Sequence, residues 1–333
     1  MSKKKIIAFL ITLIFLILIF YKIDLSKLVE TFKLFNFKYI IPISVLYYFT
    51  MYLRGIRWKA LLMDDSKYSA FHLGAVFLVG SMLNIFLPAR AGDVYRAYYL
   101  GENKNEKKMK LFGSIILERT QDGISVFFIL LFAVLFYCSK NPVILSLAYT
   151  IGFIFIGSMI AFYLIFKFNK IDWMCQKLEN FVTKIKLEKL CGIIQSLNKH
   201  ANSFMEGFEV LDSFKLTFKS VVMSGLIWGI ECYVAYLIIA SFNLSLPFSA
   251  SLFVISLISF STMLPSTSVF LGPYQYAYII ALGIYGIDKS TTLAVSTIHQ
   301  GILMILLTIV GVYYLIKFNF SIKQIEEVKD EVK

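Results

Sequence analysis

The sequence predicts an all-helical protein that crosses a membrane several times. Hydrophobic residues make up 58% of the 333 residues and charged residues only 16%, whereas soluble domains are about a quarter charged. Several apolar runs reach the length of about 20 residues that a bilayer requires. We therefore expect one transmembrane domain over residues 1–333, without a soluble catalytic domain of ordinary size.

The net charge of +12 indicates a membrane surface rather than nucleic acid, because the basic residues flank the apolar runs. Lysines precede the first run and follow the last, so both termini are predicted to be cytoplasmic at the cell membrane. The four cysteines form no CxxC pair, and the three histidines do not cluster with them. The sequence therefore predicts neither a metal site nor a cofactor.

Two apolar segments conflict with the positive-inside rule if they are treated as plain spans. A crossing at residues 69–87 would place the most basic loop of the chain, residues 88–110, on the outside. The conflict disappears if residues 69–100 enter from the cytoplasm, break between Pro88 and Gly92, and return. Proline lacks an amide proton and glycine tolerates unusual dihedral angles, so a helix is expected to break there.

Residues 248–286 form the second such segment. It must enter and leave on the outer side, because the last span is followed by lysines and therefore ends inside. Its predicted break lies between Pro265 and Gly272. The six full spans are predicted at residues 6–21, 39–53, 111–137, 143–166, 220–242 and 291–316.

The two re-entrant hairpins indicate an inverted repeat, since one follows an inward span and the other an outward span. The repeated halves cover residues of about 39–137 and 220–316, and a cytoplasmic amphipathic insert covers about 167–219. The alternative is a set of eight plain spans, with residues 88–110 outside.

All five arginines lie between positions 54 and 119, while the other basic residues are lysines. Arginine presents a rigid donor fork that binds phosphate or carboxylate through two hydrogen bonds. A half-helix that starts near Gly92 would direct its positive end, together with Arg90, into a cavity that binds an anion. Asp93 would lie in its first turn and Arg96 one turn later. The alternative is an Arg–Asp pair that only holds the hairpin closed.

Glu118, Arg119 and Asp122 begin the third span, where either carboxylate is placed to bind Arg90 or Arg96. Glu231 is a lone acid within a span, with His299 or a hairpin arginine as its expected partner. Arg54 and Arg57 are interpreted as interfacial anchors. Gln275 either binds a polar headgroup or satisfies carbonyls of the second broken helix.

Three motifs read LPARAGDVYRAYYL at residues 87–100, LERTQD at residues 117–122 and LPSTSVFLGPYQ at residues 264–275. Together they resemble the flippase-like transmembrane domain family of lysylphosphatidylglycerol synthases. Asp93 and Gln275 stand where the family pattern has Glu, and Val269 and Phe270 replace its double glycine. The resemblance implies lipid translocation or lipid handling without aminoacylation, because no soluble stretch here exceeds about fifty residues.

We expect the protein to move an anionic phospholipid or a polyprenyl-phosphate lipid between leaflets. Arg90, Arg96 and Arg119 would hold the phosphate, while Asp93, Glu118 and Asp122 would orient them. One alternative is an integral-membrane transferase that acts on a lipid-linked substrate. Another is a non-catalytic lipid-binding partner of a glycosyltransferase or envelope enzyme.

Overall fold

A computed structural model describes residues 24–63, 68–87, 90–104, 106–137, 202–262 and 270–318, together with positions 153 and 157. Within these residues all regular structure is helical, which confirms the all-helical part of the predicted fold class. The predicted spans at 6–21 and 143–166 lie outside the described residues, apart from those two positions. Pro88, Pro265 and most of the predicted insert also lie outside them.

The α-helices are numbered in chain order within the described residues. They are α1 (Leu25–Lys33), α2 (Ile40–Leu61), α3 (Ala70–Phe86), α4 (Ala91–Lys104), α5 (Lys108–Tyr137), α6 (Phe214–Ala240), α7 (Phe248–Ser261), α8 (Pro273–Gly283) and α9 (Lys289–Lys317). Two 3-10 helices cover Phe37–Tyr39 and Glu206–Asp212. Asp24, Ser69 and Asp288 cap α1, α3 and α9 by accepting a hydrogen bond from a backbone amide of the first turn.

Four of the described helices coincide with predicted spans. Of these, α6 and α9 have 27 and 29 residues and are long and apolar enough to cross a membrane. Helices α2 and α5 have 22 and 30 residues, and both carry the buried charged residues described below. The outer surfaces of the helices are also apolar. Ile41, Val45, Ile305 and Ile309 are each more than half exposed, as expected for side chains that face lipid.

Each predicted hairpin is a pair of shorter helices that pack against each other. The first pair is α3 and α4, with 17 and 14 residues, and the second is α7 and α8, with 14 and 11 residues. Each pair has its own buried apolar cluster. The first cluster joins α3 and α4 to α2 and the start of α5. The second joins α7 and α8 to α6 and the start of α9.

Gly92 does not adopt the unusual dihedral angles for which the sequence indicated a glycine at this break. Its dihedral angles are not unusual, because it lies in the first turn of α4, and the positive φ of 54° belongs to Arg90 instead. Glycine is required here because a Cβ atom would lie 1.8 Å from the carbonyl oxygen of Gly80 in α3. The two arms of the first hairpin therefore touch backbone to backbone at this point.

Gly272 has the conformational role that the sequence indicated. Its φ is 95°, in the region that favours glycine, and it immediately precedes Pro273 at the first position of α8. The second hairpin thus depends on the conformational freedom of its glycine, whereas the glycine of the first hairpin is required by close packing.

Candidate functional site

A cluster of buried charges lies where α2, α4, α5 and α6 meet. Within the described residues it contains four arginines and four carboxylates. They are Arg54, Arg57, Arg96, Arg119, Asp93, Glu118, Asp122 and Glu231. Burying one such charge without a partner is costly at membrane depth, so these groups must be paired.

Arg96 and Glu118 form the innermost pair. The guanidinium donates two hydrogen bonds to the carboxylate, over 3.0 and 2.8 Å, and both side chains are buried. The rings of Trp58 and Phe77 cover the guanidinium, with centroids 4.0 and 4.5 Å from its central carbon. Glu118 therefore binds Arg96 across the hairpin, which is one of the pairings that the sequence allowed.

Arg57 is enclosed in the same interior. It donates to Asp122 over 2.6 Å and to the Ser224 hydroxyl over 2.9 Å, and its side chain is 0% exposed. Arg54, three residues earlier on α2, binds Glu231 of α6 over 3.1 Å. The interpretation of Arg54 and Arg57 as interfacial anchors is therefore wrong, because α2 runs on to Leu61 and carries both arginines into the core.

Asp93 accepts a hydrogen bond from Arg119 over 2.7 Å and a second from the side-chain amide of Asn84 over 3.1 Å. The side-chain oxygen of Asn84 also accepts a hydrogen bond from the backbone amide of Gly92 over 2.8 Å. This α3 residue therefore provides an acceptor for a backbone amide in the first turn of α4. The role of Asn84 was not predicted from the sequence. The available signal was a polar amide near the end of an apolar run, just before Pro88.

A cavity of about 280 Å³ opens beside this cluster. Arg54, Arg119 and Glu231 border it from the charged side. Phe270 and Tyr274 border it from the start of the second broken helix, and Ile85 borders it near the C-terminal end of α3. Most of the remaining wall is apolar and belongs to α2, α3 and α9.

The predicted site residues occupy three kinds of position relative to this cavity. Arg119 and Glu231 border it, whereas Arg96 is not among its lining residues and is engaged by Glu118. Asp93 and Asp122 lie behind the wall as partners of the arginines. Arg90 is exposed at the start of α4 and interacts electrostatically with Arg119, Asp93 and Asp122.

Gln275 holds the second turn together. Its side-chain oxygen accepts from the backbone amide of Gly272 over 2.9 Å, and its nitrogen donates to Gln300 of α9 over 2.6 Å. It therefore satisfies a backbone amide, rather than the carbonyls that the sequence indicated. His299 is hydrogen-bonded to Tyr278, while Glu231 pairs with Arg54. Within the described residues no group of three or more acidic, histidine or cysteine residues is arranged to hold a metal ion.

Several archaeal proteins are similar to this chain. UPF0104 membrane protein MJ1078 of Methanocaldococcus jannaschii is 27% identical over 239 residues, which cover 71% of this chain and 95% of that protein. UPF0104 membrane protein MJ1595 of the same organism is 23% identical over 320 residues, with 92% and 93% covered. Glycosyltransferase AglD of Haloferax volcanii is 29% identical over 119 residues, which cover 35% of this chain and 19% of that protein.

No solved structure matches the chain. The family model for the transmembrane region of lysylphosphatidylglycerol synthase matches residues 5–311, nearly the whole chain. The protein therefore belongs to this family of membrane proteins.

Proposed function

We propose that the protein moves an anionic phospholipid or a polyprenyl-phosphate lipid between the leaflets of the cell membrane. In this proposal six full spans and two re-entrant hairpins surround the cavity, and both termini are cytoplasmic. The observation that carries the proposal is the cavity itself, which Arg54 and Arg119 border together with Phe270 and Tyr274 at the second helix break. Irregular backbone at membrane depth is tolerated where it lines such a cavity.

The balance of charge favours an anion. Five arginines face four carboxylates in and beside the cluster, so one positive charge is in excess among the described residues. Arg90 carries this excess at the exposed start of α4. One singly charged phosphate would neutralise the site, whereas a neutral headgroup would leave the excess charge uncompensated.

The arginines divide into two groups by their free donors. Arg57 and Arg96 direct both terminal nitrogens at carboxylates and are fully buried. Arg54 and Arg119 each donate a hydrogen bond from one terminal nitrogen only, and the other terminal nitrogen lies 4.0 Å from Asp122 in Arg54 and 3.9 Å from it in Arg119. A guanidinium has five donor hydrogens, so Arg54 and Arg119 retain donors for a phosphate. Arg96 instead positions Glu118 and the cluster.

A second candidate function follows from the similarity to glycosyltransferase AglD, which covers about a third of the chain. In this version the protein binds a lipid-linked sugar as the non-catalytic partner of a glycosyltransferase. The same cavity would hold the lipid phosphate. Copurification of such an enzyme, together with lipid binding in the absence of transport, would favour this candidate.

The test is headgroup movement in liposomes that contain the purified protein and fluorescent phosphatidylglycerol, followed by quenching of the outer-leaflet label. Arg119→Gln is expected to slow movement about ten- to a hundredfold, the effect of losing one charge-assisted hydrogen bond. Arg90→Gln should also slow it, and this variant leaves the buried pairs intact. Lys38→Gln, which removes a positive charge near the start of α2, is the control and should retain the wild-type rate.

Wild-type rates in both Arg90→Gln and Arg119→Gln would refute the assignment of the phosphate site. Because Arg90 is exposed, its variant keeps the test decisive even if Arg119→Gln fails to fold. Gel filtration in detergent checks folding.

A further inference from the structure

A second, apolar cavity lies between α3 and α9, the two helices that also border the first cavity. It has a volume of about 220 Å³, and its lining residues include no charged side chain. Tyr48 and Met51 of α2 form one wall, and the Tyr48 hydroxyl is satisfied by donating to the Leu306 carbonyl over 2.9 Å. We refer to this space as the apolar groove.

The apolar groove lies next to the first cavity along α3. We refer to that first cavity, which Arg54, Arg119 and Glu231 border, as the charged cavity. Residues 74, 78, 81 and 85 are spaced by four, three and four positions, so they form one stripe along the helix. Gly74 and Leu78 border the apolar groove, and Ser81 and Ile85 border the charged cavity. The two spaces therefore lie end to end on a single face of α3.

Helix α9 repeats this arrangement in the opposite direction. Leu303 and Leu307 border the charged cavity, whereas Val310 and Tyr314 border the apolar groove. These four residues again have the spacing of one helical stripe. Met51 of α2 borders both spaces, so it marks their junction.

Together the two spaces have arginines at one end and only uncharged walls at the other. Between Phe71 and Leu78 the groove extends for about 10 Å along α3. An occupant that fits both parts carries a negative charge at one end and a hydrocarbon chain at the other. We propose that the apolar groove holds the hydrocarbon chain of the lipid whose phosphate lies at Arg54 and Arg119; this inference rests on the proposed function.

A groove that only contacts bulk lipid should behave differently from one that binds the chain of a specific lipid. Bilayer chains are as apolar as leucine, so a groove gains no hydrophobic free energy by taking a chain from the bilayer. Specific occupancy must therefore come from the anchored headgroup. A chain in the groove should depend on its phosphate, whereas a chain that only coats the surface should not.

The experiment uses phosphatidylglycerol with a photoreactive diazirine in one acyl chain, reconstituted with the wild-type protein. Mass spectrometry locates the labelled residues. Labelling of Leu78, Val310 and Tyr314 is expected, and it should be lost when diacylglycerol with the same chain replaces the phospholipid. Equal labelling by both lipids would overturn the proposal, because the phosphate would then play no part.

A matched pair of variants tests the groove itself. Val310→Trp fills the groove and should abolish both the labelling and the headgroup dependence. Val312→Trp introduces the same bulk on α9 about 200° around the helix, at a residue that is 41% exposed, and should leave both unchanged. Labelling that survives Val310→Trp in correctly folded protein would overturn the proposal.

The outcomes separate this inference from the proposed function. Phosphate-dependent labelling without transport in liposomes would support the groove as a binding site and refute the translocase. Transport by the wild-type protein with phosphate-independent labelling would support the translocase and refute the groove.

Discussion

The two hairpins solve the same backbone problem with different chemistry. At each break the side-chain oxygen of an amide residue accepts a hydrogen bond from a backbone N–H at the start of the following helix, Asn84 from Gly92 and Gln275 from Gly272. Around the first break this amide belongs to a cluster of arginines and carboxylates. Around the second it belongs to glutamines and aromatic rings, and its next contact is Gln300.

This difference shows that the shared architecture and the chemistry are separable. A broken helix needs its orphan amides satisfied wherever it occurs. Only the first hairpin adds buried charges, which are costly unless a ligand or a partner uses them. The proposed anion site therefore lies with the first hairpin, while the second hairpin contributes an uncharged wall of the cavity.

The largest expected effect comes from removing the centre of the charged cluster. Glu118→Ala leaves Arg96 and the adjacent Arg57 without their shared carboxylate, and should cost about 3–5 kcal/mol of stability. Thermal unfolding in detergent measures this cost. Glu206→Ala breaks an exposed pair with Lys107 and should cost at most about 1 kcal/mol. Equal losses of stability in the two variants would contradict the distinction.

The next effect concerns the close contact in the first hairpin. Gly92→Ala would place a Cβ atom 1.8 Å from the Gly80 oxygen and should destabilise the protein by about 1–3 kcal/mol or more. Gly229→Ala on α6 is the control, since a Cβ there meets no atom within 4 Å. It should be neutral or stabilise the helix by up to about 1 kcal/mol. If Gly92→Ala unfolds at the wild-type temperature, the contact is not required.

A smaller effect is expected from the uncharged hairpin. Gln275→Met keeps the length of the side chain but leaves the Gly272 amide without its acceptor, so it should cost about 1–3 kcal/mol. Asn84→Leu should cost more than Gln275→Met, because the second hydrogen bond it removes goes to the carboxylate of Asp93, whereas the one lost with Gln275 goes to the neutral Gln300. Unfolding temperatures of the two variants compare the hairpins directly. The reverse order would mean that the charged cluster tolerates the loss.

The smallest effect is at the surface, where Lys27 of α1 pairs with Asp288 over 2.8 Å. Partial burial raises the pKa of Asp288, but hydrogen bonds from Lys27 and Thr291 outweigh it and lower that pKa to about 2. A depressed carboxylate stabilises the fold above its unfolded pKa of about 3.9. The stability difference between wild type and Asp288→Asn should therefore shrink as the pH falls from about 4 to 2. A difference that stays constant over this range would exclude the linkage.

Much of the framework follows from local sequence features. Apolar length predicted helices α2, α5, α6 and α9, and the glycine positions predicted starts near those of α4 and α8. The pair of Arg96 and Glu118 was one of the pairings that the sequence left open, because the two side chains belong to the consecutive helices α4 and α5.

Contacts between distant parts of the chain were not predictable in this way. The partners of Arg54 and Arg57 on α6 are 177 and 167 residues away, and no spacing rule connects them. Gly92 was misread for a related reason, since its need for glycine depends on the approach of Gly80 from another helix. Local patterns report conformation, whereas close packing and long-range charge pairing depend on the assembled fold.

The glycines between α2 and α3 limit how the protein can move. A Cβ atom at Gly55 would lie 2.0 Å from the Ala70 oxygen, and one at Gly74 would lie 2.7 Å from the Met51 oxygen. Helices in such close contact cannot slide past each other, so α2 and α3 form one rigid unit. In α9 a Cβ atom at Gly311 would lie 2.6 Å from the Met82 sulfur of α3. Any movement that the proposed transport requires must therefore keep α2 and α3 together.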